Sequence, residues 1–193
     1  YMANVETAYA LRQATNWLVA STSEIMAMGM PYAAMWRYLG SATPSYGNMV
    51  STFHTFYEAY PTPSGALSAI DCRQMDALAS IMRNINSRYA LPQAMVDSLQ
   101  VLDGFATPLF FDLGDYVDHL CANATLLSDF HAQLKRAVPY AASTQTLYSY
   151  LYDHPVYIPV NTFSGITISD PSTSSVAEKG KKNTEWWKAT HEE

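Results

Sequence analysis

The sequence predicts a mixed α/β fold, and three observations carry that prediction. A four-residue apolar run, Trp17-Leu18-Val19-Ala20, stands between two segments with helical spacing, as a buried strand does when helices cover its sheet. A second run, Gly65 to Ile70, passes straight into a helical pattern behind Asp71, which suggests a strand feeding a helix. From Val138 to Ile168 helical spacing disappears, and β-branched residues, Tyr, Ser and Thr take over.

Taken in order, Ala3 to Gln13 are good helix formers, with Met2, Val5 and Tyr9 on one face. The helix opens without a start methionine or a capping residue before its first apolar position, and Thr15-Asn16 ends it. After the strand Trp17–Ala20, Ser21 to Glu24 form the polar loop at its carboxyl end, where open α/β sheets place ligands. Gly29-Met30-Pro31 closes that loop. A helix follows over Tyr32–Leu39, with Tyr32, Met35, Trp36 and Leu39 on one side and Gly40 as its stop. Thr43 and Pro44 suit the cap and first position of the next helix, whose face is Met49, Phe53, Phe56, Tyr57 and Tyr60.

Asp71 caps a helix with Met75, Leu78, Ala79, Met82 and Ile85 inward. Leu91-Pro92 opens another, with Met95, Leu99 and Leu102 inward, ended by Asp103-Gly104. Helices near Asp112 (Leu113, Tyr116, Val117, Leu120) and from Asn123 to Ala137 (Leu126, Leu127, Phe130, Leu134) follow. Lys135-Arg136 suits the second one's carboxyl end. Val156–Val160 and Gly165–Ile168 read as strands, the first an edge strand because Pro159 cannot donate. Ser172 to Lys182 reads as a solvated loop, and Asn183 to His191 as a terminal helix with Trp186-Trp187. Two regions result: 1–40 and a mainly helical 41–193 with short strands near 65–70 and 138–168.

The formal net charge of −6 argues against a nucleic-acid partner, which needs a basic face. No apolar run approaches the roughly 18 residues of a membrane span. The 14 tyrosines and 4 tryptophans leave aromatic area to bury against something. Two cysteines, Cys72 and Cys121, do not make a disulfide framework, and both read as buried thiols.

The first thirty-odd residues resemble the clostripain-like cysteine peptidases, relatives of caspases, legumain and the gingipains. In that family a strand leads to Asp-Ala-Cys, and the helix after it reads like Tyr-Met-Ala-Asn-Val-Glu-x-Ala-Tyr-x-Leu-Arg. Here Tyr1, Met2, Ala3, Asn4, Val5, Glu6, Ala8, Tyr9, Leu11 and Arg12 match, then Leu18 to Ser21, Glu24 and Pro31-Tyr32. Ser164 to Pro171 resembles a late strand of the family. The resemblance implies that 1–40 completes a caspase-like α/β sheet sandwich, with a mainly helical region after it. It also implies that the catalytic Cys–His dyad lies upstream, on an N-terminal portion that partners this chain. Secretion or a bacterial cell-envelope location, self-processing, and cleavage of peptide or protein substrates after Arg or Lys follow from the same resemblance. So does placement of Ser21, Thr22, Ser23 and Glu24 along the substrate chain, with Met26 on the pocket wall.

Within the chain, Asp71-Cys72 mimics a nucleophile site in miniature, yet no His-Gly pair follows a strand, so Cys72 reads as packed. His119 and Cys121 fall on different helix faces. Asp112, Asp115 and Asp118 share one helix face; calcium enters by family resemblance only, and a solvated acidic face is the simpler expectation. No cofactor is otherwise expected. The alternative function is a non-catalytic helical module that binds a protein or glycan through its aromatic-rich face.

Overall fold

The computed structural model describes residues 3–191; Tyr1 and Met2, which carry part of the family motif, lie outside the described residues. The start of the chain is stitched into the fold by its main chain. Ala3 N–H donates to the carbonyl of Ser21 (3.0 Å), and Thr167 N–H donates to the carbonyl of Ala3 (2.9 Å). Helix α1 (Val5–Leu11) then begins with a cap the sequence reading did not expect: the Asn4 side chain accepts from the N–H groups of Glu6 and Thr7. Arg12, just past α1, lies over the Tyr9 ring and pairs with Asp76 and Glu185, each at 2.7 Å.

Strand β1 (Trp17–Ala20) lies in a sheet as expected, but in antiparallel company and at an edge. It pairs with β2 (Ala66–Asp71), with Trp17 opposite Asp71 and Ala20 opposite Ser68. Between them come α2 (Tyr32–Leu39) and α3 (Tyr46–Glu58). Ser45, not Thr43, precedes α3, and of the expected α2 face only Met35 is buried, leaving Tyr32, Trp36 and Leu39 exposed. After β2 the chain turns through a 3-10 segment at Cys72–Gln74, capped by Asp71, into α4 (Met75–Asn86).

The largest departure comes next. Residues 91–104 are not a helix: a 3-10 turn at Gln93–Ser98 leads into the long strand β3 (Val101–Asp112). Met95, Leu99 and Leu102 fit a helical spacing, but Val101, Phe105, Thr107, Phe110 and Phe111 prefer an extended chain. Gly104 and Pro108 interrupt the strand pattern and hide it. Helices α5 (Leu113–Leu120) and α6 (Ala124–Ala137) are capped by Asp112 and Asn123. Strand β4 (Tyr140–Ser143) joins β2, completing a sheet of order β1-β2-β4. Strands β5 (Thr146–Leu151), β6 (His154–Pro159) and β7 (Thr167–Ile168) form a second sheet with β3, of order β6-β5-β3-β7. Pro159 does end an edge strand. The stretch expected as a loop at 172–182 instead holds α7 (Ser175–Gly180) and the start of a 3-10 turn. Helix α8 (Glu185–His191) closes the described chain.

The first sheet carries apolar side chains on both faces. Leu18, Ala20 and Ile70 pack into a core built from α1, α4, α5, α6 and α8. Trp17, Val19, Leu67 and Ala69 pack against Met35, Met49, Val50, Phe53 and Tyr57 of α2 and α3. This period-two division explains the near-continuous apolar runs in β1 and β2. Both cores draw residues from either side of position 40. Among the described residues, no helix is long and apolar enough to cross a membrane.

Gly165 sits where β7, β4 and β2 meet, with φ +82°. A Cβ there would overlap that of Ala141 and stand 2.8 Å from Ser68 Oγ. Gly165→Ala is therefore expected to lower stability by about 2–4 kcal/mol, from backbone strain plus overpacking. Urea denaturation showing less than about 1 kcal/mol would contradict this packing.

Candidate functional site

The loop after β1 is ordered by few but specific contacts. Ser21 accepts from Ala3 N–H, and its Oγ accepts from Ser23 N–H at 3.3 Å. Further on, Gly29 N–H donates to Met26 carbonyl at 2.8 Å, and Gly29 takes φ +70°. The buried Tyr57 of α3 donates its hydroxyl proton to the Gly29 carbonyl at 2.8 Å. Burial also pushes the Tyr57 phenol above its usual range, which keeps it a donor.

This loop borders a groove of about 690 Å³. Val19, Ile25, Ala27, Met30, Tyr32 and Leu67 make it largely apolar, with Ser21, Ser23 and Glu24 as polar lining. Of the expected site residues, Ser21, Ser23 and Glu24 reach the groove. Ser21, Thr22 and Ser23 are all buried, at 4%, 0% and 0% exposure, so of the three lining residues only Glu24 offers an accessible side chain; Met26 is half-buried against the α2–α3 cluster. Among the described residues that line the groove, Glu24 is the only carboxylate.

One residue near the loop escaped the sequence reading, where it served only as a helix stop. Asp103 on β3 is fully buried. Its Oδ1 accepts from Ser149 Oγ at 2.6 Å and from Gly104 N–H at 2.7 Å, while its Oδ2 has no hydrogen-bond partner among the described residues. Burial still pushes its pKa up to about 6, against the pull of these donors. No local pattern marks Asp103, because its side-chain partner Ser149 lies on β5, forty-six positions later.

The other candidate chemistry dissolves. Cys72 is 1% exposed, and its thiol contacts the Ile70 carbonyl. Burial pushes the thiol's pKa up, and the charge of Asp71 adds to it, the reverse of an activated nucleophile. Cys121 is also buried. The histidines engage other groups: His54 contacts the Ser143 carbonyl, His119 the Asp115 carbonyl, His131 the Asp118 carboxylate, and His154 the Tyr152 carbonyl. His191 contacts Asn86 and Thr190. Both cysteines are expected to resist iodoacetamide in the native protein and to react in denaturant. Fast native labelling of Cys72, read by mass spectrometry, would contradict its packing.

Asp112, Asp115 and Asp118, at the start of α5 and along it, are not a solvated acidic face, because each has a partner on another segment and only Asp118 is exposed. Asp112, 1% exposed, accepts from Ser164 N–H (2.6 Å), Ser164 Oγ (2.9 Å) and Asp115 N–H (3.0 Å). Asp115 accepts from Gln100 N–H at 2.7 Å. Asp118 meets His131 at 2.6 Å. They flank a cleft of about 450 Å³, but oxygens already occupied by these partners do not fit a calcium ion, which needs six or more. Among the described residues, no group of three His, Cys, Asp or Glu side chains is arranged to hold a metal.

Helices on both faces of the first sheet, with a groove at the carboxyl end of β1, make a mixed α/β protein whose fold matches solved caspase-like C11 proteases. The chain belongs to the Clostripain family, peptidase C11, whose sequence profile matches residues 1–159. It is 47% identical, with a TM-score of 0.93, to a clostripain from Bacteroides thetaiotaomicron ATCC 29148 solved with the peptide inhibitor BTN-VLTK-AOMK. That match covers 100% of this chain and 84% of the other. A secreted C11 cysteine protease of B. thetaiotaomicron, iotapain, is 46% identical at TM-score 0.93, over 99% of this chain and 53% of that one. An inactive zymogen C11 protease from Parabacteroides distasonis is 25% identical at TM-score 0.87, over 100% of this chain and 56% of that one. No curated protein matches the chain.

Proposed function

We propose that this chain is the C-terminal, substrate-side portion of a secreted cysteine endopeptidase that cleaves after Arg or Lys. In this reading the Cys–His dyad belongs to an upstream portion of the same protein, which docks beside Ala3. Glu24 and the main chain at Ser21 and Ser23 hold the substrate chain, whose backbone adds as a strand beside the loop, while the buried side chains of Ser21, Thr22 and Ser23, with Met26, support the loop from beneath. The observation that carries the reading is the position of the loop. It lies at the carboxyl end of an edge strand, bonded to the first described residue of the family's post-cysteine helix, and opens onto the groove.

Buried cysteines and histidines bonded elsewhere support an upstream source for the dyad. The Lys that ends the VLTK of the relative's inhibitor supports basic specificity, and Glu24 supplies a matching charge at the groove. Secretion rests on the description of iotapain.

The test is cleavage of peptides containing Arg or Lys by the full-length protein, with and without calcium and reductant. Cleavage after the basic residue is expected. No cleavage under any of these conditions would end the reading and leave the binding module, which the exposed Tyr32 and Trp36 favour.

A further inference from the structure

We infer that Glu6 is a positioning residue: through Ser169 and Thr167 it fixes the main chain at Ala3, and with it the spacing between the upstream nucleophile and the loop Ser21–Glu24. The inference rests on the proposed function and adds what holds the two sides of that site in register.

Ala3 is the meeting point. Its N–H donates to the Ser21 carbonyl at 3.0 Å, and its own carbonyl accepts from Thr167 N–H at 2.9 Å and from Thr167 Oγ1 at 3.3 Å. Asn4 continues the contact as a parallel bridge to Thr167. The main chain that follows the proposed nucleophile is therefore held by the substrate loop on one side and by β7 on the other.

Strand β7 cannot supply that fixed point alone. It has two residues and stands at the end of its sheet, paired with Phe111 and Asp112 of β3. So short a strand has little to set its register, and a slip of one residue would turn Thr167 away from Ala3. Gly165 fixes the approach to β7 by close packing. Glu6 fixes the exit, because its Oε1 accepts from Ser169 N–H at 2.9 Å and from Ser169 Oγ. Glu6 lies in the first turn of α1, so the bonds close a ring that runs from Ala3 through α1 to Glu6, across to Ser169, and back through Thr167 to Ala3.

The carboxyl group is costly where it stands. Glu6 is 8% exposed, and neither its Oε2 nor the two oxygens of nearby Asp170 have a hydrogen-bond partner. Stability alone favours a neutral residue at such a place. What Glu6 adds is an acceptor strong enough to hold two donors of the segment leaving β7. Small displacements beside reacting groups have disproportionate effects on rate, so this ring has more leverage on turnover than on folding.

The test uses the full-length protein and compares Glu6→Ala, Glu6→Gln and Ser169→Ala with Gln133→Ala. Gln133 is a buried side chain of α6 that donates to the Gln74 carbonyl, outside the ring. Steady-state cleavage of a basic peptide, amide exchange at Ala3 and Thr167, and Tm are measured for each. Glu6→Ala is expected to lower kcat about tenfold, with KM changed less, and to speed exchange at both amides. Glu6→Gln, which keeps an acceptor for Ser169, is expected to restore most of the rate. Ser169→Ala, which loses one of the two bonds, is expected to lower kcat about threefold, and it carries the comparison if Glu6→Ala does not fold. Gln133→Ala is expected to lower Tm and leave kcat near the parent value. Parent kcat in Glu6→Ala or Ser169→Ala, no rescue by Glu6→Gln, or an equal loss of kcat in Gln133→Ala would overturn the inference. If the parent cleaves nothing, the proposed function fails, while the exchange data still decide whether Glu6 holds Ala3.

Discussion

Asp112→Ala is expected to cost about 3–5 kcal/mol of stability and to lower Tm by on the order of 10 °C. The carboxylate stops α5 from fraying by accepting Asp115 N–H, and it ties β3 to the segment before β7 through two bonds to Ser164. Alanine would leave Ser164 N–H and Asp115 N–H without their acceptor at the wall of the cleft, and each abandoned donor adds a desolvation cost to the extent that water does not reach it. Burial pushes the Asp112 carboxyl pKa above its usual range despite these donors, so part of the loss is offset by relief of a buried charge. Asp112→Asn, which keeps one acceptor and adds no charge, should therefore cost less, about 1–2 kcal/mol. Chemical denaturation at neutral pH reads both. An alanine variant within about 1 kcal/mol of the parent would show that Asp112 is not the hub described.

The second large effect is on pH dependence. Glu6 of α1 and Asp170, just after β7, form a buried pair of carboxyls whose charges oppose each other. Glu6 Oε1 accepts from Ser169 N–H and Oγ, but its Oε2 and both Asp170 oxygens have no hydrogen-bond partner. Burial first, then the charge of Glu6, pushes the Asp170 carboxyl up to about 8, while the Lys181 ammonium pulls the other way. Glu6 is raised too, chiefly by burial. Tyr116 of α5 faces the same pair, and Lys181 is shared with Glu178 at 2.6 Å.

A carboxyl raised in the folded state binds its proton more tightly there than in the unfolded chain. Its contribution to stability is fully present below the unfolded value near 3.8 and is lost as pH rises through about 8. Tm should accordingly fall by about 5 °C or more between pH 6 and pH 9. Asp170→Asn, whose amide can donate to Glu6, should flatten that slope and be the more stable protein at pH 9. Parallel Tm curves for parent and variant would refute the pairing. The consequence extends to the groove, because Glu6 holds Ser169 near the point where Ala3 is stitched between Ser21 and Thr167.

Much of the fold could be read without coordinates. Helices α2, α4, α5 and α6 stand close to where apolar periodicity and the cap Asp71 place them, while the capping roles of Asp112 and Asn123 emerge only in the structure. The loop Ser21–Glu24 was legible for a local reason, a polar run directly after an apolar strand. Strand β3 was not legible, because Gly104 and Pro108 break its pattern and Leu99 and Leu102 mimic a helix face. Its extended form comes from pairing with β5 and β7. Asp112 was read as solvated because α5 looks acidic on one side, yet Ser164, fifty-two positions away, covers it.

The chain's own pattern of apolar spacing, caps and breakers thus settles most of the long helices and which family motif the first residues follow, but not residues 91–104 or α7. Those are local properties, fixed by steric preference and hydrogen bonds within a few positions. Packing alone settles which polar side chains are hidden and which of the loop residues reach the groove. Burial and partnership depend on contacts between distant segments, and no short stretch of sequence contains its own neighbours.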